Sequence, residues 1–441
     1  GAIVMDVISA DDARRPHEQI ERIRFLRPDM ILFAGGTDYG ASDTVIQSAE
    51  ILNAANPRSR LGADFKLPLV YAGNVALQNK VNEIMKGNFL LTFVDNIRPT
   101  MEEEKPEPAR QAVHQLFMEH VMSHAPGYGK LMKWTPIPIM PTPVGEGMAI
   151  QLIASMYNAN AIGVGLGGAT TNVYSVYEGR FLRTVSANLG MSYSICNALK
   201  EAGTENVVRW LPFDVDEVEI RNALRNKMIR PTTIPESLDD LMVEHALARE
   251  AIRLGFQHHK QLAVPLRGTS QSKEISRWLK EDLGEHSYID MMHISWIVGT
   301  GGLLSHAPRR VQSMLVLIDS FLPEGITKIA QDSVFMMPHL GVLSTVHRKA
   351  SIEIFEKDCL VLLGTCIALR GHMGEDDQGK EVATIRITMS NGDIIDENLL
   401  YGMMKRIPLS RGEFAKVEIK PNFRFDAGAG IGRRVETEAE G

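Results

Sequence analysis

Residues able to do chemistry concentrate in one short segment, Gly163-Val-Gly-Leu-Gly-Gly-Ala-Thr-Thr-Asn172. Glycines let a backbone approach a phosphate closely and leave its amides free to donate. The hydroxyls of Thr170 and Thr171 add donors, or a place near a metal ion. Gly167, Gly168, Ala169, Thr170, Thr171 and Asn172 are therefore the first candidates for holding a nucleotide phosphate. The alternative is a tight Gly-rich hairpin that holds no ligand. Two other apolar runs end in paired glycines beside a threonine, Gly35-Gly36-Thr37 and Gly299-Thr300-Gly301-Gly302. A helix is predicted soon after the latter, and amides near a helix start suit an adenosine or a phosphate. The order of these ends predicts that a nucleotide contacts Gly167–Thr171 and Gly299–Gly302 from opposite sides of one cleft.

Two fingerprints compete for the first segment. Gly163, Gly165 and Gly168 satisfy G-x-G-x-x-G, but a dinucleotide site needs a helix directly after the glycines. The chain instead continues as Asn-Val-Tyr-Ser-Val-Tyr, then Glu178-Gly179-Arg180, then Phe-Leu-Arg-Thr-Val. These are β-formers around a turn, so the glycines sit in a β-hairpin region. That favours phosphate loops of the sugar-kinase, actin and Hsp70 type.

Other polar residues weigh less. Asp38 follows Gly-Gly-Thr at a predicted strand end, where a carboxylate suits orienting water or standing near a metal. The plain alternative is an Asp bonding its own loop. It is the one candidate catalytic residue, and no metal-ligand set is assigned. His258-His259 is read as a polar helix end whose adjacent rings point to different faces, which argues against a shared metal. Cys196, Cys359 and Cys366 lack C-x-x-C spacing and read as reduced core thiols, the usual state in a cytoplasmic protein.

The elements that must position these residues alternate. Strands are predicted over Ala2–Val7, Met30–Ala34, Leu67–Ala72 and Phe89–Val94. Helices are predicted over Asp12–Leu26, Thr44–Ala54, Val75–Met85 and Arg110–Ser123. Pro126–Pro143 reads as a connector, and Met148–Tyr157 as the helix that feeds the glycine hairpin. Further helices are predicted over Met191–Ala202, Val215–Lys227 and Leu238–His258. The strand Asp290–Val298 then precedes the helix Pro308–Phe321. From about Gly371 the chain turns to short β runs, Val382–Met389 and Val417–Lys420, around Asn391-Gly392. Alternation of this kind implies an α/β fold. It divides into an α/β lobe over 1–145, a second lobe over 146–370 with the phosphate and adenosine loops, and a small C-terminal β-rich module over 371–441.

Composition excludes several classes. The chain has 441 residues, 44% hydrophobic and 23% charged, with a formal net charge of -7. That is globular composition with ample core material. No long basic run marks a nucleic-acid partner, and no apolar run of about 20 residues marks a membrane span.

The chain resembles the glutamate mutase accessory protein family, also labelled MutL (GlmL) and unrelated to mismatch-repair MutL. The matching segments are Arg27–Asp38, Val70–Asn74, Leu166–Val176, Asn188–Met191, Val298–Gly302 and Met337–Ser344. The resemblance implies an actin-like ATPase with ribonuclease H-like lobes and β-hairpin phosphate loops. It also implies ATP or ADP with Mg²⁺, and subunits of an adenosylcobalamin-dependent mutase or aminomutase as partners. No cobalamin is expected on this chain itself. The implied role is a chaperone-like reactivating factor worked by ATP-linked lobe movement.

The departures matter. The family carries an Asp where this chain has Gly165, and another where it has Asn172. Its first phosphate loop belongs upstream of Gly1, so the first lobe is expected to be N-terminally incomplete. Neutral residues at both positions weaken a Mg²⁺ site. Whether the chain is an enzyme is thus left open. The alternatives are a non-hydrolysing partner-binding protein of the same fold and, third, a small-molecule kinase.

Overall fold

The computed structural model of the chain describes residues 4–58, 66–120, 122, 126–135, 137, 139–264 and 287–441. These fall into two compact units, one up to residue 139 and one from residue 140 onward.

The first unit carries helices α1 (Pro16–Leu26), α2 (Asp43–Ala55), α3 (Gln78–Met85), α4 (Glu107–His120) and α5 (Tyr128–Leu131). Its three strands, β1 (Ile31–Phe33), β2 (Leu67–Tyr71) and β3 (Phe89–Phe93), pair in parallel in the order β1-β2-β3. The core gathers Val45, Ala49, Leu69, Tyr71, Val81 and Phe89. Of the strand predicted over Ala2–Val7, the first two residues lie outside the described set, and residues 4–7 form no strand. Instead Asp6 is tied to Arg14 and Arg22, 3.0 and 2.7 Å away. Helix α1 starts at Pro16, four residues later than predicted, because a proline suits the first helical turn.

The second unit begins with α6 (Thr142–Tyr157). It leads to the hairpin strands β4 (Ala161–Leu166), β5 (Thr171–Tyr177) and β6 (Arg180–Ser186). Next come α7 (Ile195–Ala202), α8 (Thr204–Val208), α9 (Glu217–Ile229) and α10 (Leu238–Leu262). The chain returns to the sheet as β7 (Trp296–Thr300), then α11 (Gly302–Ser305), α12 (Arg310–Phe321) and β8 (Gly325–Asp332). Helices α13 (Met337–Leu343) and α14 (Arg348–Ile354) lead to β9 (Leu360–Ala368). The sheet order is β6-β5-β4-β7-β8-β9. Antiparallel hairpins join β4, β5 and β6, whereas β7 and β8 run parallel to β4. Three meandering strands followed by two parallel ones, with the first strand central, is the order of a ribonuclease H-like lobe.

Both faces of this sheet are covered, so its strands read as near-continuous apolar runs. Ile162, Val164, Leu166, Val173 and Ile297 pack under α7, α10 and α12. Ala161, Tyr174, Trp296, Val298 and Ala330 pack under α6 and α13. The tail adds β10 (Glu381–Met389), β11 (Ile394–Leu400), β12 (Phe414–Pro421) and β13 (Val435–Glu440), an antiparallel sheet ordered β11-β10-β12-β13. Its core of Ile387, Val417 and Ile419 is continuous with Ile326 of β8 and Ile367 of β9. No helix among the described residues is long and apolar enough to cross a membrane.

Candidate functional site

The Gly-rich segment forms the β4–β5 turn. Gly167 donates its amide to the Thr170 carbonyl at 2.9 Å, closing the turn. A second loop straps it from below. The Met191 amide donates to the Gly167 carbonyl at 3.0 Å and the Ser192 amide to the Gly168 carbonyl at 2.9 Å. The Ser194 hydroxyl donates to the Ala169 carbonyl at 2.6 Å. All four carbonyls of the turn are thus consumed. The amides of Gly168, Ala169 and Thr170, by contrast, donate to no protein acceptor among the described residues. Ala169 is exposed and its neighbours are half-buried. A partly exposed turn with saturated acceptors and three unused donors is built to take an anion.

The strap depends on Gly190. A Cβ there would lie 2.4 Å from the Gly168 carbonyl oxygen and 2.3 Å from the Ala169 carbonyl carbon. The Thr171 hydroxyl is buried and donates to the Leu189 carbonyl at 2.6 Å, so it anchors the loop from within.

The Gly299–Gly302 segment ends the neighbouring strand, β7. Gly301 adopts φ +109°, and a Cβ on it would lie 2.2 Å from the Leu166 carbonyl oxygen. Only a glycine allows that approach. The two loops are side-by-side neighbours on one sheet, not facing walls of a cleft as their order in the sequence predicts. Thr300 is buried and donates its hydroxyl to Asp332 at 2.9 Å.

One row of residues crosses this end of the sheet. Asn172 of β5 pairs with Gly165 of β4, and Gly165 pairs with Thr300 of β7. Thr300 bonds Asp332, the last residue of β8. Asp332 is saturated: it also accepts from the amides of Val334, Met336 and Met337 and from the Cys359 thiol. It caps the segment that leads into α13.

Sequence reasoning missed the residue over the centre of this row. Glu146, in the second turn of α6, is 2% exposed. A Cβ built on Gly165 would lie 2.2 Å from its Oε2, so the carboxylate fills the space that a side chain at 165 would occupy. Tyr174 donates its hydroxyl to that oxygen at 2.5 Å, and Asn172 donates its side-chain amide at 3.3 Å. Burial pushes the Glu146 carboxyl up to about 7. The Tyr174 and Asn172 bonds oppose the rise, and the charge of Asp332 adds to it. The Oδ1 of Asn172 is buried with no partner among the described residues. The signal in the sequence was slight, a lone acid between Gly145 and Gly147 in a Pro-rich stretch that reads as connector.

In the first unit, Gly35, Gly36, Thr37 and Asp38 come after β1, and Asn74 and Asn96 after the two neighbouring strands. Asp38 accepts the Val75 amide at 3.0 Å and the Asn96 side-chain amide at 2.9 Å. Asn96 also donates to the Gly36 carbonyl, and the Asn74 amide donates to the Gly35 carbonyl. Asp38 therefore ties three strand ends together at the carboxyl edge of a parallel sheet, the edge where such sheets hold ligands.

The histidine pair differs from its sequence reading. His259 is fully buried beneath the hairpin, its ring nitrogens 2.8 Å from the Thr184 hydroxyl and 2.9 Å from the Ser175 hydroxyl. Burial, helped by His258, lowers its pKa to about 3. No cluster of three or more His, Cys, Asp and Glu suited to a metal occurs among the described residues. The three cysteines are free thiols, Cys359 buried and the others half-buried.

A family model described as MutL protein matches residues 1–359. Protein MutL of Clostridium tetanomorphum is 27% identical over 332 residues, an alignment that covers 70% of this chain and 66% of that protein. The chain therefore spans slightly less than two thirds of that relative's length. Among solved structures, nucleotide-free acetone carboxylase aligns with 82% of this chain and 60% of its own, at 10% identity and a TM-score of 0.29. Component A of (R)-2-hydroxyglutaryl-CoA dehydratase from Acidaminococcus fermentans aligns over 71% of this chain and 86% of its own, at 10% identity and a TM-score of 0.24.

Proposed function

The chain belongs to the MutL protein family, and from that premise we propose that it is a nucleotide-binding accessory factor for an adenosylcobalamin-dependent mutase of the glutamate mutase or aminomutase type. The observation that carries the reading is the β4–β5 turn, whose carbonyls are consumed and whose Gly168, Ala169 and Thr170 amides are unused among the described residues. Such a turn suits the phosphates of ATP or ADP. The adjoining β7 end, with Gly301 against Leu166, supplies a second backbone edge for the same ligand. The ribonuclease H-like strand order supports the same reading, because it brings both loops to one end of one sheet. Mg²⁺ would accompany the phosphates and neutralise their charge. Gly35, Gly36, Thr37 and Asp38 are proposed as a second ligand-holding edge in the first unit. Nucleotide-linked movement would then act on the mutase subunits.

A second reading has its own observation. Gly165 and Asn172 bring no charge to the row at the sheet end, which favours a protein that binds nucleotide and partner without hydrolysis. Calorimetric titration of the chain with ADP and with ATP tests the shared premise. Binding of both, competed by inorganic phosphate, is expected, and no heat of binding at millimolar ligand would end both readings. Phosphate release from Mg-ATP then separates them. Reactivation of a stalled mutase that requires turnover favours the first, and partner binding without turnover favours the second.

A further inference from the structure

The acidic group over the sheet row remains to be explained. Glu146 is buried, yet no Lys, Arg or His side chain bonds to it among the described residues. Its partners are one hydroxyl and one amide, both on Oε2. Among the described residues the Oε1 has no partner, and neither has the buried Oδ1 of Asn172 beside it. The neighbouring carboxylate, Asp332, is saturated and offers no relief. The cluster therefore has an excess of oxygen acceptors and a deficit of positive charge. Buried acceptors are normally satisfied, and a buried carboxylate normally has a cation for company. Oxygen donors from a carboxylate and an amide are those that a hard divalent ion takes.

The place is also right. Glu146 lies over Gly165, and Asn172 lies directly opposite it across the hairpin. From Gly165 to the Gly167–Thr170 turn is two residues of strand, about 7 Å. One hydrogen bond of about 2.9 Å and two metal–oxygen bonds of about 2.1 Å cover the same span. A phosphate oxygen held by the turn amides can therefore be shared with an ion held at Glu146.

We propose that Glu146, with Asn172, holds a divalent cation beside the Gly167–Thr170 turn, the α6 carboxylate standing where a side chain at position 165 would otherwise stand. The inference rests on the nucleotide reading for the role of the ion, but the ion's site stands on the geometry of Glu146, Gly165 and Asn172. It also corrects the remedy that the sequence suggests. Gly165→Asp alone would drive a new side chain into the Glu146 carboxylate, so an acid can be moved to 165 only if 146 gives up its own.

The test uses the full chain, Mn²⁺ as the probe, and three variants: Glu146→Gln, Gly165→Asp, and the exchange E146A/G165D. Bound Mn²⁺ is counted by electron paramagnetic resonance without nucleotide, and ADP affinity is measured with Mn²⁺ and with chelator. The wild type is expected to bind Mn²⁺ and to bind ADP at least tenfold more tightly with it. In Glu146→Gln, which keeps the shape, Mn²⁺ binding should be lost and the two ADP affinities should converge. Gly165→Asp should melt lower, while the exchange should regain both melting temperature and Mn²⁺ binding. Undiminished Mn²⁺ binding by Glu146→Gln would overturn the inference and leave the nucleotide reading intact. A wild type that binds Mn²⁺ through Glu146 but no ADP would uphold the ion site and sink the nucleotide reading. Absence of Mn²⁺ from the wild type, with or without ADP, would overturn the site.

Discussion

At the scale of single residues, burial decides what a titratable group can do. His259 is held neutral between two hydroxyls, with its pKa lowered to about 3. The unfolded chain takes up its proton near the ordinary value of 6.5. Folded protein thus binds fewer protons between those limits, so stability is full above pH 6.5 and falls as pH drops. From pH 6.5 to 5 the loss from this residue alone is about 2 kcal/mol. His245, lowered to about 4 by burial and by Arg249, works in the same direction. Urea unfolding at stepped pH checks this: His259→Asn should be weaker at pH 7 and should show a shallower acid slope than the wild type. Parallel slopes would mean that His259 already titrates normally. The sequence could not show this, because adjacent histidines near a helix end look polar until the helix proves to run on to Leu262.

At the scale of elements, the turn and its strap form one unit. The 189–194 loop holds three turn carbonyls, and Gly190 lets it come that close. Gly190→Ala must push two backbones apart. Overpacking of this kind costs about 1–3 kcal/mol, and nucleotide affinity should fall by more than stability does, since the turn amides lose their set. Thermal melts and ADP titration of the variant check it, and wild-type affinity would show that the strap is dispensable. The hairpin itself was legible, because aromatic and β-branched residues alternate about Glu178-Gly179. The first turn of α6 was not. Pro141-Thr142-Pro143 with Gly145 and Gly147 reads as connector, and only packing against the sheet makes it helical. Glu146 stayed hidden for that reason. Strand β7 was placed early, since Ile289–Ile294 is apolar enough for a strand but folds as a 3₁₀ turn over Met291–His293. Strands β11 and β13 went unread because their alternation is half acidic, as in Glu436-Thr437-Glu438 on an edge.

At the scale of the whole molecule, the C-terminal sheet is no loose appendage of the second unit. Ile326, Ile367 and Leu369 lie against its core, and Lys328 of β8 bonds Glu440 of β13 at 2.5 Å. A chain ending at residue 370 would bare those three side chains. Re-exposing them costs roughly 3 kcal/mol, which lowers the melting temperature of a domain this size by roughly 10 °C. Calorimetry of the full and shortened chains measures it. An unchanged transition would mean that the two sheets unfold independently.

The packing of α6 carries a consequence for how such a chain can drift. At Gly165 the neighbour is the tip of a side chain, so change is possible in pairs: an acid may migrate from helix to strand if both positions move together. At the α6–α13 crossing the neighbours are main chain. A Cβ on Gly341 would lie 1.9 Å from the Gly145 carbonyl oxygen, and one on Gly145 would lie 2.4 Å from that of Pro338. No second substitution can make room there. Lineages descended from such a chain are free to relocate their acidic group but bound to keep these two glycines.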